Sequence, residues 1–425
     1  MTPKKYRILV LVEDSWFEML IKPLQRLGHE VRAFHIKFPN ISAANIESLD
    51  SELKSFKPQF CIIQNFYGLQ PHPELGTAVE ETFAKHQIPV APWFLDHPQA
   101  SGSRILQTRW RKGPFPKNFL FFCVDRNHKE FFQMRGLAAE HLPIAVDSSI
   151  EKEFFTPSES PEITFVGKPY FKPEGIIRHE EEIPNVFGFQ FLNILLYRLQ
   201  SPPYEMPNHE ITSYLWKIQP HFVAFLKKIC TQYNDYFKSR SILFEECQRI
   251  LPGEIYELLQ DFIGRIDFTY SYCQLTRYLT HLHRNVGLRV FGGDEWQSFL
   301  PQYSEGTPRL SQEQLYSIFS NSKVTFCYTK FQFAGAVHER PVLALACGGF
   351  PLTDKKDELY EMFEPDEIAS YASIEEAEEF SRYFVKNEDA RKKIIEKGRK
   401  KVFSAHTFDH RMKTLVAKAA LHWNL

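Results

Sequence analysis

Residues 338–354 read His-Glu-Arg-Pro-Val-Leu-Ala-Leu-Ala-Cys-Gly-Gly-Phe-Pro-Leu-Thr-Asp, and no other stretch of the chain carries as many structural instructions. Pro341 suits a first helical turn, where its missing N–H is not needed. Val342 to Ala346 supply a short apolar helix, and Gly348 and Gly349 end it in a turn. Phe350-Pro-Leu-Thr reads as a brief strand. Thr353 or Asp354 is expected to cap a following helix with Asp357 and Glu358 in its first turn. The order helix, glycine turn, strand, helix belongs to an open α/β sheet, which binds phosphate-bearing ligands on bare backbone and helix N-termini at the carboxyl ends of its strands. A tight turn that needs positive φ explains the glycine pair without any ligand.

The surrounding chain has 425 residues, too many for one ordinary core, so two domains are expected. Hydrophobic residues make up 43% and charged residues 24%, which excludes a disordered or collagen-like chain. Aromatics reach 15%, with 39 Phe; core explains most of them, and sugar-stacking clefts are the alternative use. With 51 basic and 52 acidic residues the formal charge is −1, so no global field draws in nucleic acid or anionic membrane. Seven cysteines stand at 61, 123, 230, 247, 273, 327 and 347, mostly in apolar strings without metal-type pairing, and read as buried thiols in a reducing compartment. Met1-Thr-Pro-Lys-Lys-Tyr leads straight into a strand-like run, and no apolar segment approaches membrane-spanning length. A soluble cytoplasmic protein is the expectation.

Taken in order, Tyr6–Val12 is a strand, Phe17 to Leu27 a helix closed by Gly28, and Val31–Ile36 a second strand, a βαβ start that predicts a parallel sheet. A polar helix over 46–56, strands at 60–65 and 90–95, and a helix over 74–86 continue the alternation. Strand 119–124, helix 126–135 and a closing strand within 139–145 complete the first layer. The fourth strand runs directly into Asp96-His-Pro. Residues 148–162 read as a linker between domains. Ile163-Thr-Phe-Val-Gly-Lys opens a second sheet, which breaks off into helical patterning over 172–284 and resumes at Leu288-Arg-Val-Phe-Gly-Gly. This is expected to be a helical insertion, with Phe165 and Val290 in one sheet. Ser311 to Gln314 and Ser373 to Glu376 are capping boxes. The basic run Arg391 to Lys401 reads as a solvated face, and the last helix, 408–423, as one that crosses back onto the first domain.

Arg340 followed by Leu345-Ala-Cys-Gly-Gly-Phe-Pro-Leu-Thr-Asp resembles the nucleotide-sugar-binding motif of CgeB-like (spore maturation protein) glycosyltransferases. Glu358-Leu359, Phe363-Glu-Pro-Asp-Glu-Ile, Tyr371, Glu375-Glu376, His406-Thr-Phe and Arg411 follow in the order and spacing of that family, over residues 310–415. Asp96-His-Pro, Asp125, Gly136 and Leu142-Pro before Asp147 resemble its N-terminal domain. The resemblance implies an α/β protein of the GT-B kind: two facing Rossmann-like domains, residues 1–155 on the acceptor side and 156–425 on the nucleotide-sugar side, with the helical insertion in the second. It implies a hexosyltransferase-like enzyme that moves a sugar from a nucleotide sugar, bound as substrate and not as cofactor, to a hydroxyl acceptor such as a glycan or protein.

Such chemistry needs cations and helix N-termini where negative charge develops on the leaving diphosphate. Lys168 after Gly167, Lys330 after the Val324 strand, and Arg340 at the head of the quoted helix are the candidates, with ordinary surface bases as the plain alternative. Gly167, Gly348, Gly349, Phe350, Thr353 and Glu358 complete the expected donor site, and Gly349→Val is expected to abolish nucleotide binding in a folded chain. Asp96 or His97 is the expected base, each acting alone, with Asp14 a rival and a turn before Pro98 the structural alternative. No Asp-x-Asp pair stands at a strand end, so no metal ion is expected. One departure stands out. Leu343 occupies the position where the family carries a glutamate that accepts from donor ribose hydroxyls, which leucine cannot do. A catalytically inactive glycan-binding or scaffold protein is therefore the second reading.

Overall fold

A computed structural model describes residues 4–12, 19–36, 41–65, 78–95, 118–134, 136–152, 161–167, 273–293, 310–330 and 333–425, with single residues at 207, 209, 213, 243, 249, 271 and 296. The chain divides into two compact units: Met1–Pro98, Arg104–Lys168 and Leu282–Leu425 form the first, Gln99–Ser103 and Pro169–His281 the second. The predicted insertion over 172–284 lies almost wholly outside the described residues. Its last part is seen as a helix over 273–286.

The first unit contains two parallel sheets. In the first, β1 (Arg7–Val12), β2 (Glu30–His35), β3 (Phe60–Gln64), β4 (Val90–Phe94), β5 (Phe121–Cys123) and β6 (Ala139–His141) stand in the order β2-β1-β3-β4-β5-β6. Both faces are covered, as a parallel sheet built from crossover units requires. Ile8, Val10 and Val12 face one core with Leu20 and with Leu24 of α1 (Ile21–Arg26), while Leu9 and Leu11 face another with Leu49, Leu53 and Phe56 from α2 (Ala43–Phe56). The second core also takes Phe83 of α3 (Ala78–Lys85) and Phe132 of α4 (Arg126–Gln133). Helix α2 begins earlier than its apolar spacing predicts, because Ser42 and Asn45 cap it reciprocally.

The second sheet has the order β11-β10-β9-β7-β8, from β7 (Ile163–Val166), β8 (Arg289–Phe291), β9 (Val324–Cys327), β10 (Pro351–Asp354) and β11 (Ala369–Tyr371). Phe165 pairs in register with Val290, so the strand that follows the helical patterning does return to the sheet it left. Helix α5 (Gln312–Asn321) carries the predicted Ser311–Gln314 capping box. Helix α6 (Glu339–Ala346) ends in a Schellman turn: Gly349 N–H reaches the Ala344 carbonyl at 2.8 Å, Gly348 N–H reaches Leu345 at 2.9 Å, and Gly348 has φ +81°. The expected helix capped by Thr353 or Asp354 starts later, as α7 (Leu359–Met362), because the Asp354 carboxylate is taken by Thr329, just after the neighbouring strand β9.

Helices α8 (Ile374–Lys386), α9 (Glu388–Ala405) and α10 (Phe408–Trp423) close the unit. The basic run in α9 is not all solvated. Arg391 is buried and donates to the Phe384 and Val385 carbonyls at the end of α8, and Arg399 donates to the Ala346 carbonyl at the end of α6. Helix α10 crosses to the first sheet, where Phe408 meets Trp93 edge to face and Trp423 meets Phe60. Arg411 fastens the crossing by donating to the Pro143, Ile144 and Ala405 carbonyls and to His406 Nδ1.

His406 donates from Nε2 to the Met362 carbonyl at 2.8 Å while accepting from Arg411, so the folded ring is neutral. Burial first, and the Arg411 charge second, lower it from 6.5 to about 4. The unfolded chain therefore takes up this proton before the folded one, and the stability held in full above pH 6.5 is lost as pH falls towards 4. Denaturant unfolding should show this group costing about 3 kcal/mol between pH 7 and pH 4, and His406→Gln should flatten that part of the curve.

Candidate active site

In the second sheet the chain leaves β7 for β8 on one side and passes from β9 to β10 on the other, so the carboxyl ends of β7 and β9 form the switch point where open α/β sheets hold ligands. Gly167 follows β7, Thr329 and Lys330 follow β9, and Arg340 arrives from the first turn of α6. The Arg340 guanidinium carbon lies 5.8 Å from the centre of the Phe165 ring. A Cβ on Gly167 would stand 3.1 Å from Arg340 Nη2 and 3.0 Å from the Phe165 ring, so glycine permits this approach. Gly167 is itself fixed: its N–H donates to the Phe291 carbonyl at 3.0 Å, and its carbonyl accepts from the Trp296 indole.

The charges here are of one sign. Arg340 Nη1 is buried and has no hydrogen-bond partner among the described residues. Lys330 is buried, and burial followed by the Arg340 charge pushes its ammonium well below the usual lysine range. His338, the N-cap of α6, accepts the Arg340 N–H on Nδ1 at 3.2 Å; burial, then Arg340 and Lys330, push it well below 6.5. Lys330 and His338, each lowered by burial and by the Arg340 charge, give this end of the sheet the electrostatics of an anion site.

The neighbouring carboxylates, by contrast, are engaged. Asp354 accepts from the Thr329 N–H at 2.9 Å and hydroxyl at 2.8 Å, and its other oxygen lies 3.3 Å from the buried Lys356 ammonium. Asp125, at the N-cap of α4, is fully buried; one oxygen accepts from Asn127, and the other from the Gly335 and Ala336 N–H groups at 3.0 and 3.1 Å. Burial alone would raise its pKa, but His128, Asn127 and the Gly335 N–H together hold it below the usual carboxylate range. Glu358 reaches the opposite way, accepting from the Arg126 N–H at 2.8 Å and from His141 at 2.9 Å.

Of the residues singled out from the sequence, Gly167, Lys330 and Arg340 are brought together. Gly348, Gly349 and Phe350 are not: they precede β10 and stand at the amino end of the sheet, opposite the switch point. Gly349 is pressed against α5, where a Cβ would lie 2.1 Å from the Phe319 carbonyl oxygen, and Phe350 is buried against Phe384 with ring centres 4.4 Å apart. Thr353 is buried within β10. Glu358 lies beyond β10, engaged as described. Asp14, Asp96, His97 and Lys168 lie outside the described residues. Sequence pattern does not single out His338, Asp125, His141 or Lys356 as site residues: Asp125 and His141 meet Gly335 and Glu358 far along the chain, and His338 and Lys356 meet near neighbours but are marked only by their burial in the fold. His406 and His410 stand four apart, a spacing shared with helical metal ligands, but His406 holds Met362 and Arg411 while His410 pairs with the Thr407 hydroxyl at 2.7 Å. No group of three metal-ligating side chains occurs among the described residues, and no described helix is long and apolar enough to cross a membrane.

Residues 274–417, which hold β8 to β11 and the Lys330–Arg340 cluster, match a family model described as glycosyl transferase-like. Among solved structures, the chain is similar to Anabaena HepE in complex with UDP-glucose, at 9% identity and a TM-score of 0.49 over 98% of this chain and 100% of that one. It is similar also to a UDP-forming α,α-trehalose-phosphate synthase from Burkholderia vietnamiensis, at 9% identity, 98% and 100% coverage and a TM-score of 0.47. A third is a sucrose-phosphate synthase from Thermosynechococcus elongatus, at 8% identity, 97% and 98% coverage and a TM-score of 0.47. No curated protein matches the chain.

The Gly349 geometry reverses the expected outcome of its substitution. Gly349→Val places side-chain atoms inside the Phe319 backbone, so the variant should lose about 3 kcal/mol or more of stability, seen as a lowered melting temperature, instead of remaining folded and merely failing to bind.

Proposed function

We propose that this chain is a glycosyltransferase of the CgeB-like kind, moving a hexose from a nucleotide-sugar donor to a hydroxyl on a glycan or protein, without a metal ion and in the cytoplasm. The observation that carries the reading is the buried Arg340 Nη1 without a hydrogen-bond partner among the described residues, beside Gly167 and Lys330 at the switch point, within the glycosyl transferase-like segment. A nucleoside diphosphate brings the anion this cluster lacks. Its phosphate oxygens suit a guanidinium, which donates in a planar fork, and the same donors stabilise the charge that grows as the diphosphate departs. Lys168, directly after Gly167, belongs to the same set in this reading.

The acceptor's proton is assigned to Asp96 or His97, at the carboxyl end of β4. Just before them in sequence, the Leu95 N–H donates to the Asn65 side chain at 2.9 Å. Leu343 favours a second reading. It is half-buried on α6 against the core, where the family glutamate would accept ribose hydroxyls. Glu339, in the first turn of α6 and one helical turn before Leu343, is the substitute carboxylate in an active enzyme. Without a substitute, the chain is a nucleotide or glycan binder that does not turn over.

Thermal unfolding with UDP, GDP and ADP tests the donor site. A nucleoside diphosphate at ~100 times its dissociation constant should add ~2.7 kcal/mol, and Arg340→Ala should weaken that binding about tenfold or more. Unchanged affinity in a folded Arg340→Ala variant places the diphosphate elsewhere. Donor hydrolysis by the parent, reduced in Glu339→Gln, supports the enzyme; an inert parent that gains nucleotide affinity in Leu343→Glu supports the binder.

A further inference from the structure

His338 was read in the sequence only as the residue before an apolar helix, and the donor site above does not use it. Its ring is held on two sides. Nδ1 accepts the Arg340 N–H at 3.2 Å, closing the N-terminus of α6, and Phe333 meets the ring edge to face with centres 5.7 Å apart. An imidazole nitrogen that accepts a backbone N–H carries no proton, so the neutral ring must carry its proton on Nε2. The cap therefore fixes the tautomer. Nε2–H is a donor with no hydrogen-bond partner among the described residues, on a residue that is only partly buried, in the company of Lys330 and Arg340.

We propose that His338 is a donor-contacting residue that gives its Nε2–H to a phosphate oxygen of the bound nucleoside diphosphate, in a tautomer set by its own helix cap. The inference rests on the glycosyl-transfer reading and adds to it a neutral donor. Lys330 and Arg340 supply charge, and that same charge, together with burial, keeps the imidazole uncharged. A third cation at this point would cost more desolvation and add repulsion, whereas a neutral N–H donor costs less desolvation, adds no repulsion and still meets the growing charge on the leaving oxygens. The arrangement also links donor binding to α6: the backbone N–H that orients the ring belongs to Arg340, so one turn of helix sets both the guanidinium and the imidazole.

The test separates capping from donation. Asparagine and aspartate cap helices about equally well, but aspartate has no hydrogen to give. His338→Asn, His338→Asp and His338→Ala are compared with the parent by calorimetric titration with UDP, GDP and ADP and with the matching nucleosides, after melting curves confirm folding. His338→Asn should keep diphosphate affinity within a few-fold of the parent, His338→Ala should lose about tenfold, and His338→Asp should lose more, with nucleoside affinity unchanged in all three. Equal losses in the asparagine and aspartate variants, or equal losses for diphosphate and nucleoside, overturn the proposal. If all variants bind as the parent does, the contact does not exist. If the parent binds none of the three diphosphates, the glycosyl-transfer reading fails first and this proposal falls with it.

Discussion

A carboxylate with no exposure to water is expensive unless donors replace its hydration, and Asp125 obtains those donors from both sheets. One oxygen is satisfied within its own helix cap by Asn127, and the other takes two N–H groups from the loop that follows β9. Glu358 completes the exchange from the other side, spending one oxygen on the Arg126 N–H and the other on His141, while its own N–H donates to the Gly335 carbonyl. Gly335 sits in the middle of this exchange, with 3.3 Å between a Cβ placed on it and Glu358 Oε1. The carboxyl ends of the two sheets are thereby held together by backbone donors, which cannot swing away as long side chains do. The loop so held leads directly into His338 and Arg340.

The candidate site follows from how charge is shared out around that loop. Each buried carboxylate nearby has been satisfied: Asp354 by Thr329 and Lys356, Asp125 by backbone, Glu358 by Arg126 and His141. Against these, Arg340 is half-buried and its Nη1 is buried with no hydrogen-bond partner among the described residues. A guanidinium does not deprotonate, so the cost of its burial remains until an anion arrives. In the proposed reading, that standing cost becomes affinity when a diphosphate binds.

Arginine does a different job elsewhere in the unit. Arg391, Arg399 and Arg411 each donate to carbonyls that a finished helix leaves unsatisfied or that a strand end exposes: those of Phe384 and Val385, of Ala346, and of Pro143, Ile144 and Ala405. Residues near a helix C-terminus welcome cations because the last carbonyls point outwards with partial negative charge. In sequence, Arg391 and Arg399 sit among lysines that do face solvent. Nothing in the spacing separates the arginines that stitch helices together from the lysines that keep them soluble, since the distinction depends on which carbonyl lies within reach.

The sequence by itself determined the features whose cause is local. Apolar runs such as Ile8–Val12 and Phe60–Ile63 can only be strands buried on both faces, the serines at 311 and 373 can only open helices, and the α/β order that they punctuate calls for parallel sheets. The return of Val290 to Phe165 was legible because the strand pattern that breaks off after Gly167 resumes at Leu288-Arg-Val-Phe. The tertiary structure alone decided which of the flagged residues meet. Gly348 and Gly349 looked like a phosphate loop, but the direction of β10 carries them to the end of the sheet away from Arg340, where Gly349 serves the packing of α5. Asp125 finds Gly335, and Arg340 finds Gly167, across separations that no periodicity encodes. Local pattern is set by how each residue treats its near neighbours in the chain, whereas a site is set by which strand ends the sheet order brings side by side.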